Sequence, residues 1–139
     1  MSETSLSLKS LLVPSKTVEA DFPGFAGFKL DLVFLSRETL LSIRKKATKT
    51  TFKNHQPVEE LDDKLFLQLY TKACIKGWKG LKLSYLEQLA PVDISAEDPD
   101  AELPYTEENA LFLMQSSTIF DSYISNTVTE LSNFTKSST

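Results

Sequence analysis

Few side chains in this sequence could do chemistry, and their spacing decides against most of it. The one imidazole, His55, stands between Asn54 and Gln56 in a polar, aperiodic stretch. A base or a ligand needs neighbours that orient it, so a lone His there reads as an exposed loop residue. Cys74, the single cysteine, falls on the apolar face of a helix-like run, with no second Cys or His at metal-ligand spacing. It reads as packing. Gly24-Phe25-Ala26-Gly27 and Gly77-Trp78-Lys79-Gly80 share glycine content with phosphate-binding loops but lack the Lys-Ser/Thr pair, so both read as turns. The carboxylates between 93 and 108 are numerous, yet the Asp/Asn/Gly spacing of a calcium loop is absent. No catalytic, cofactor-binding or metal-ligating residue is therefore expected, and the chain reads as an interaction protein rather than an enzyme.

The residues left over are those of a protein-binding surface. Trp78, the only Trp, sits between two of the four glycines. It is either an indole packed under a loop, its N–H given to a carbonyl, or a partner-binding anchor presented by a glycine-bounded turn. Phe112, Met114 and Tyr123 lie off the main apolar face of the last helical segment. They are either a second core contact or a binding stripe. The candidate partner-binding set is thus Trp78, Phe112, Met114 and Tyr123, with Lys76, Lys79 and Lys82 as its rim. Lys and Arg also gather over 44–53, read here as a solvated face or a contact for an acidic protein.

These residues must be positioned by an α+β fold, helix-dominated, with an N-terminal β-hairpin and a long C-terminal helix. Polar and apolar residues alternate over 16–22 and again over 28–35, the pattern of half-buried strands. Pro23-Gly24 marks a connection longer than two residues. Ser36 is an N-cap candidate, with Glu38 in the first turn and Arg44, Lys45 and Lys46 in the last, matching the helix dipole at both ends. Periodicity is lost over 48–60, where Pro57 disfavours helix, so a linker or irregular crossing is expected. Asp62 or Asp63 caps a helix running to about 76, with Gly77 as its stop. A short helix follows and ends before Pro91. Residues 93–102 form an acidic loop. Thr106 caps the last helix, which runs to about 133 and spans on the order of 40 Å, with Ser116-Ser117-Thr118 the place for a bend or break. Phe66, Leu69, Ala73, Leu113, Phe120 and Ile124 are the expected core, with the two longest helices in contact.

A chain of 139 residues suits one domain, here 13–134, between an arm over 1–12 and a tail over 135–139. Hydrophobic and charged fractions of 41% and 24% are those of a soluble globular protein. A net charge of −4 weighs against nucleic acid as the partner. No apolar run approaches the roughly 20 residues of a membrane span. Residues 1–10 carry Glu3 and no apolar core, unlike a signal peptide. A cytoplasmic location is expected, and one Cys fits it.

The order of segments resembles one family, the tail assembly chaperones of long-tailed bacteriophages. The matching pieces are Leu35-Ser36-Arg37-Glu38, Ile75 through Gly77-Trp78-Lys79-Gly80-Leu81, Leu103-Pro104-Tyr105-Thr106-Glu107-Glu108-Asn109-Ala110-Leu111 with Phe112 and Leu113, Phe120-Asp121, and Leu131-Ser132-Asn133-Phe134. No single piece is diagnostic; order and spacing over 13–134 carry the likeness. The resemblance implies a soluble factor in the host cytoplasm that coats the tape-measure protein, a long helical polypeptide, and keeps it from aggregating. Tail tube protein then polymerises around the client, and is a further candidate partner, as is self-association. The resemblance also implies absence from the finished virion. It carries with it a longer frameshifted product, which an amino-acid sequence cannot show. The alternative is a structural minor tail or head–tail joining protein of the virion.

Overall fold

The alternation over 16–35 makes the expected hairpin. In the computed structural model, which describes residues 7–11 and 16–135, Thr17–Asp21 (β1) and Lys29–Val33 (β2) pair antiparallel, Thr17 opposite Val33 and Asp21 opposite Lys29. Ahead of them Leu8–Leu11 (α1) forms a single helical turn. The remainder of the arm expected over 1–12, and residues 136–139 of the expected tail, lie outside the described residues. Ser36 caps Arg37–Ala47 (α2), its hydroxyl accepting from the Thr39 N–H at 3.1 Å.

Residues 48–60 are not an irregular linker. Thr48–Lys53 (β3) and Gln56–Leu61 (β4) form a second, separate two-stranded sheet, joined at Asn54-His55. Both turn residues have positive φ, 51° and 65°, which is the two-residue turn whose twist suits a hairpin. The alternation of β-branched Thr over 48–51 was the available strand signal, and Pro57 masked it. Pro57 is tolerated because it lies opposite Phe52, at a position whose N–H would point out of the ladder.

Asp62 caps Asp63–Cys74 (α3), but Gly77 does not stop it. The helix ends at Cys74, and Ile75–Lys79 (β5) runs on directly, pairing with β2 to give the sheet order β1-β2-β5. Trp78 and Gly77 therefore lie within a strand, not a turn. The register slips between Asp31 and Leu32, leaving Lys76 as the extra residue of a bulge. After Leu83–Leu89 (α4) and the exposed acidic loop, Thr106 caps Glu107–Ser116 (α5). The long C-terminal helix breaks at Ser117, which closes α5 and caps Thr118–Thr129 (α6) by accepting from the Phe120 N–H at 3.0 Å. Ser132–Thr135 (α7) ends the described chain.

The core lies between the inner face of the three-stranded sheet and α3, α5 and α6. Leu30 and Leu32 of β2, Cys74 and Ile75, Phe120, Ile124 and Val128 are fully buried. Leu113, Phe120 and Ile124 are core as expected, and α3 packs on α5. Phe66, Leu69 and Ala73 are only partly buried, because α3 turns Tyr70, Thr71 and Cys74 inward instead. The first sheet and the last described helices are also tied together. The Leu35 N–H donates to the Val128 carbonyl at 2.8 Å, and α7 packs against β1.

Candidate functional site: an apolar groove between α4 and α5

Strand geometry scatters the expected binding set. Successive strand residues point to opposite faces, so Trp78 faces the core while Lys79 faces solvent. Trp78 is 9% exposed and sits edge-on to Phe28, Tyr105 and Phe120, its Nε1 donating to the Leu103 carbonyl at 2.9 Å. It is a packing residue. The three lysines are engaged separately: Lys76 Nζ donates to the Lys72 carbonyl, Lys79 pairs with Glu19 at 3.2 Å, and Lys82 lies over the Tyr85 ring. Met114 is buried. Tyr123 is half-buried, stacked obliquely on Phe22, with its hydroxyl donating to the Asp21 carbonyl at 3.1 Å. Of the apolar residues expected at the surface, only Phe112 is presented to solvent, at 56% exposure.

Phe112 stands on the lip of an open groove of about 200 Å³ between α4 and α5. Leu86 and Ala90 line it from the α4 side and Phe112 and Leu113 from α5, with Val92 and Leu103 completing its apolar lining. Its polar margin is Asn109 and Ser116. Hydrogen bonds hold the segments around the groove. Thr106 accepts from the Asn109 N–H at 2.9 Å, and the Asn109 side chain donates to the Pro104 carbonyl at 3.0 Å, fixing the first turn of α5. Leu103 is held from both sides, its N–H donating to the Leu81 carbonyl at 2.8 Å and its carbonyl accepting from Trp78. Trp78 thus anchors one lining residue of the groove while not itself lining it. Leu86, Ala90, Val92 and Leu103 were not marked by the sequence as site residues, since a short apolar helix next to Pro91 reads simply as core.

The groups that could do chemistry are placed elsewhere. His55 is exposed at the tip of the second hairpin. Burial pushes the Cys74 thiol up to about 12, so it stays protonated and unreactive near neutral pH. The acidic loop uses its carboxylates on its own backbone: Asp93 and Asp98 accept from the N–H groups of Ser95 and Asp100, both at 2.9 Å. Glu102 accepts from the Gly80 N–H, also at 2.9 Å. Among the described residues no three His, Cys, Asp or Glu side chains converge as a metal site, and no helix is long and apolar enough to cross a membrane. What the arrangement offers is an open, mainly apolar cleft with Asn109 and Ser116 in its lining.

Residues 36–139 match the model of a family described as YdaY prophage protein. The match begins at the cap of α2 and leaves β1 and β2 outside it. No curated protein and no solved structure matches the chain.

Proposed function

This chain belongs to the YdaY prophage protein family and is of phage origin, and on that premise we propose that it is a tail assembly chaperone that binds the tape-measure protein and keeps it soluble. The observation that carries the proposal is the α4–α5 groove, with Phe112 exposed on its lip. An amphipathic helix buries its stripe by laying side chains into such a cleft, and no cofactor or turnover is needed. A long client with many such stripes binds many copies, so each contact can be weak and the complex still persist. The order of sequence segments, from Leu35-Ser36-Arg37-Glu38 to Leu131-Ser132-Asn133-Phe134, supports the same reading. The protein then acts in the host cytoplasm and leaves before the virion is complete.

Co-expression with the tape-measure protein of the same prophage tests this. The client's soluble fraction should rise, the two proteins should co-purify, and Phe112→Ser should abolish both effects while the protein itself stays folded. If neither protein alters the other's solubility and no complex is recovered, the chaperone reading fails. Recovery of the protein from purified virions would favour a structural tail component instead.

A further inference from the structure

The second hairpin has one blunted edge and one open edge. Hydrogen bonding alternates along an antiparallel pair. The Asp62 N–H donates to the Ala47 carbonyl, and this continues the register that sets Lys49 opposite Glu60, Thr51 opposite Val58 and Lys53 opposite Gln56. The bonded positions of β3 are therefore 49, 51 and 53, and the backbone groups of Thr50 and Phe52 point out of the sheet. On β4 the outward position nearest the turn is Pro57, which has no N–H to offer. On β3 no group among the described residues outside the hairpin hydrogen-bonds to the backbone of Thr50 or Phe52.

The surroundings of that edge are basic. Between Glu38 and Glu59 there is no acidic residue, while Arg44, Lys45, Lys46, Lys49 and Lys53 supply five of the chain's 15 Lys and Arg. Lys53 is paired with Glu60 at 2.9 Å; the other four form no ion pair within the described residues. Leu41, Arg44 and Lys45 of α2 join Thr48, Thr50 and Glu59 in lining a shallow groove of about 340 Å³ along β3. Leu41 is 54% and Phe52 73% exposed. The hairpin's carboxylates are on β4, one strand removed from the open edge.

We propose that the β3 edge of this chain accepts an acidic polypeptide segment in extended conformation as a third strand. The main chain of Thr50 and Phe52 supplies the ladder; carboxylates on the face shared with α2 meet Arg44 and Lys45 beside Leu41 and Phe52, and carboxylates on the opposite face meet Lys49. The unpaired backbone groups are what favour polypeptide over nucleic acid, which has no matching donor–acceptor repeat. The lysines set the sign of the partner: they repel a second copy of β3 and attract carboxylates. This site is separate from the α4–α5 groove and differs from it in kind, reading backbone and charge rather than an apolar helix stripe.

The test uses the full-length, isotope-labelled protein and a blocked octapeptide alternating Glu and Val. Adding it should shift the amide signals of Thr50 and Phe52 and slow their hydrogen exchange, with the α5 signals unmoved. The same peptide N-methylated on the residues that face β3 should bind about tenfold more weakly or not at all, a comparison that needs no protein variant. Lys45→Glu with Lys49→Glu should weaken binding by a similar factor. A Lys-Val peptide that binds as well would overturn the charge argument. Shifts at 45 and 49 without slowed exchange at Thr50 and Phe52 would overturn the strand addition. A thymidine oligonucleotide that binds this face more tightly than the Glu-Val peptide would show a nucleic-acid surface instead.

Discussion

Replacing Trp78 with Ala should unfold this protein more readily without removing any exposed group. The indole is almost wholly enclosed, meets three aromatic rings edge-on and donates to the Leu103 carbonyl. Truncation of a buried Trp costs about 3–5 kcal/mol, transfer and cavity terms together. Small domains hold about 5–15 kcal/mol in all, so the variant stays folded at room temperature with a much reduced margin. For a chain of this length the melting temperature should fall by roughly 10–20 °C. Trp78→Phe should cost less, about 1–2 kcal/mol, because a ring remains against Phe28, Tyr105 and Phe120 while the hydrogen bond is lost. Phe112→Ser is the counterpart: the side chain is exposed, and stability should stay within about 0.5 kcal/mol. Urea unfolding followed by circular dichroism measures all three. A loss under about 1 kcal/mol for Trp78→Ala would refute the packing argument, and a large loss for Phe112→Ser would show that its ring is not a free lip of the groove.

Three further outcomes follow from local geometry. Gly80 has φ +76°, and a Cβ there would lie 2.0 Å from the Gly27 carbonyl oxygen; Gly80→Ala should therefore cost more than about 2 kcal/mol in the same unfolding assay, beyond the left-handed penalty alone. Ser117→Ala removes the acceptor for the Phe120 N–H inside the core and should cost about 1–2 kcal/mol; an unchanged midpoint would mean the break between α5 and α6 does not depend on that cap. Burial pushes the Cys74 thiol up to about 12 from an ordinary 9.0 and also raises the hydroxyls of Tyr70, Tyr105 and Tyr123. The unfolded chain loses these protons first, so the stability they hold is intact below pH 9.0 and is lost as pH rises towards 12. A urea midpoint that does not fall across that alkaline range, or a Cys74 that reacts with a thiol reagent in the folded protein, would contradict this.

Periodicity in the sequence carried the hairpin of β1 and β2, α2 with its Ser36 cap, and the start of α5 at Thr106, because each rests on local alternation or on one side chain capping its own helix. The β3–β4 hairpin was hidden because Pro57 and the polar Asn54-His55 pair resemble a linker, although the same pair makes a tight turn once both residues accept positive φ. Gly77 resembled a helix stop, yet β2 draws the chain into a strand two residues earlier, at Ile75; that pairing is a tertiary event no local window contains. The candidate site suffered most. Whether Trp78 faces in or out depends on which strand parity the sheet imposes, and Phe112 and Met114, equally off the expected apolar face, are separated by their positions around α5, which turns Met114 to the core and Phe112 to solvent.

The tie between the first sheet and the last described helices has a consequence for the order in which the chain can fold. β2 is the central strand of its sheet, but β5 joins it only after α2, the second hairpin and α3 have been made. Leu35 waits longer still, for Val128. Until α3, α5 and α6 are all present, the core cluster around Leu30, Leu32 and Phe28 is incomplete, whereas β3 and β4 are neighbours in sequence and can pair at once. A nascent chain therefore carries an incompletely covered β2 through most of its synthesis, and any product cut short before α6 lacks Phe120, Ile124 and Val128 from that core. Such fragments should be prey for proteases, leaving full-length chains as the population that survives.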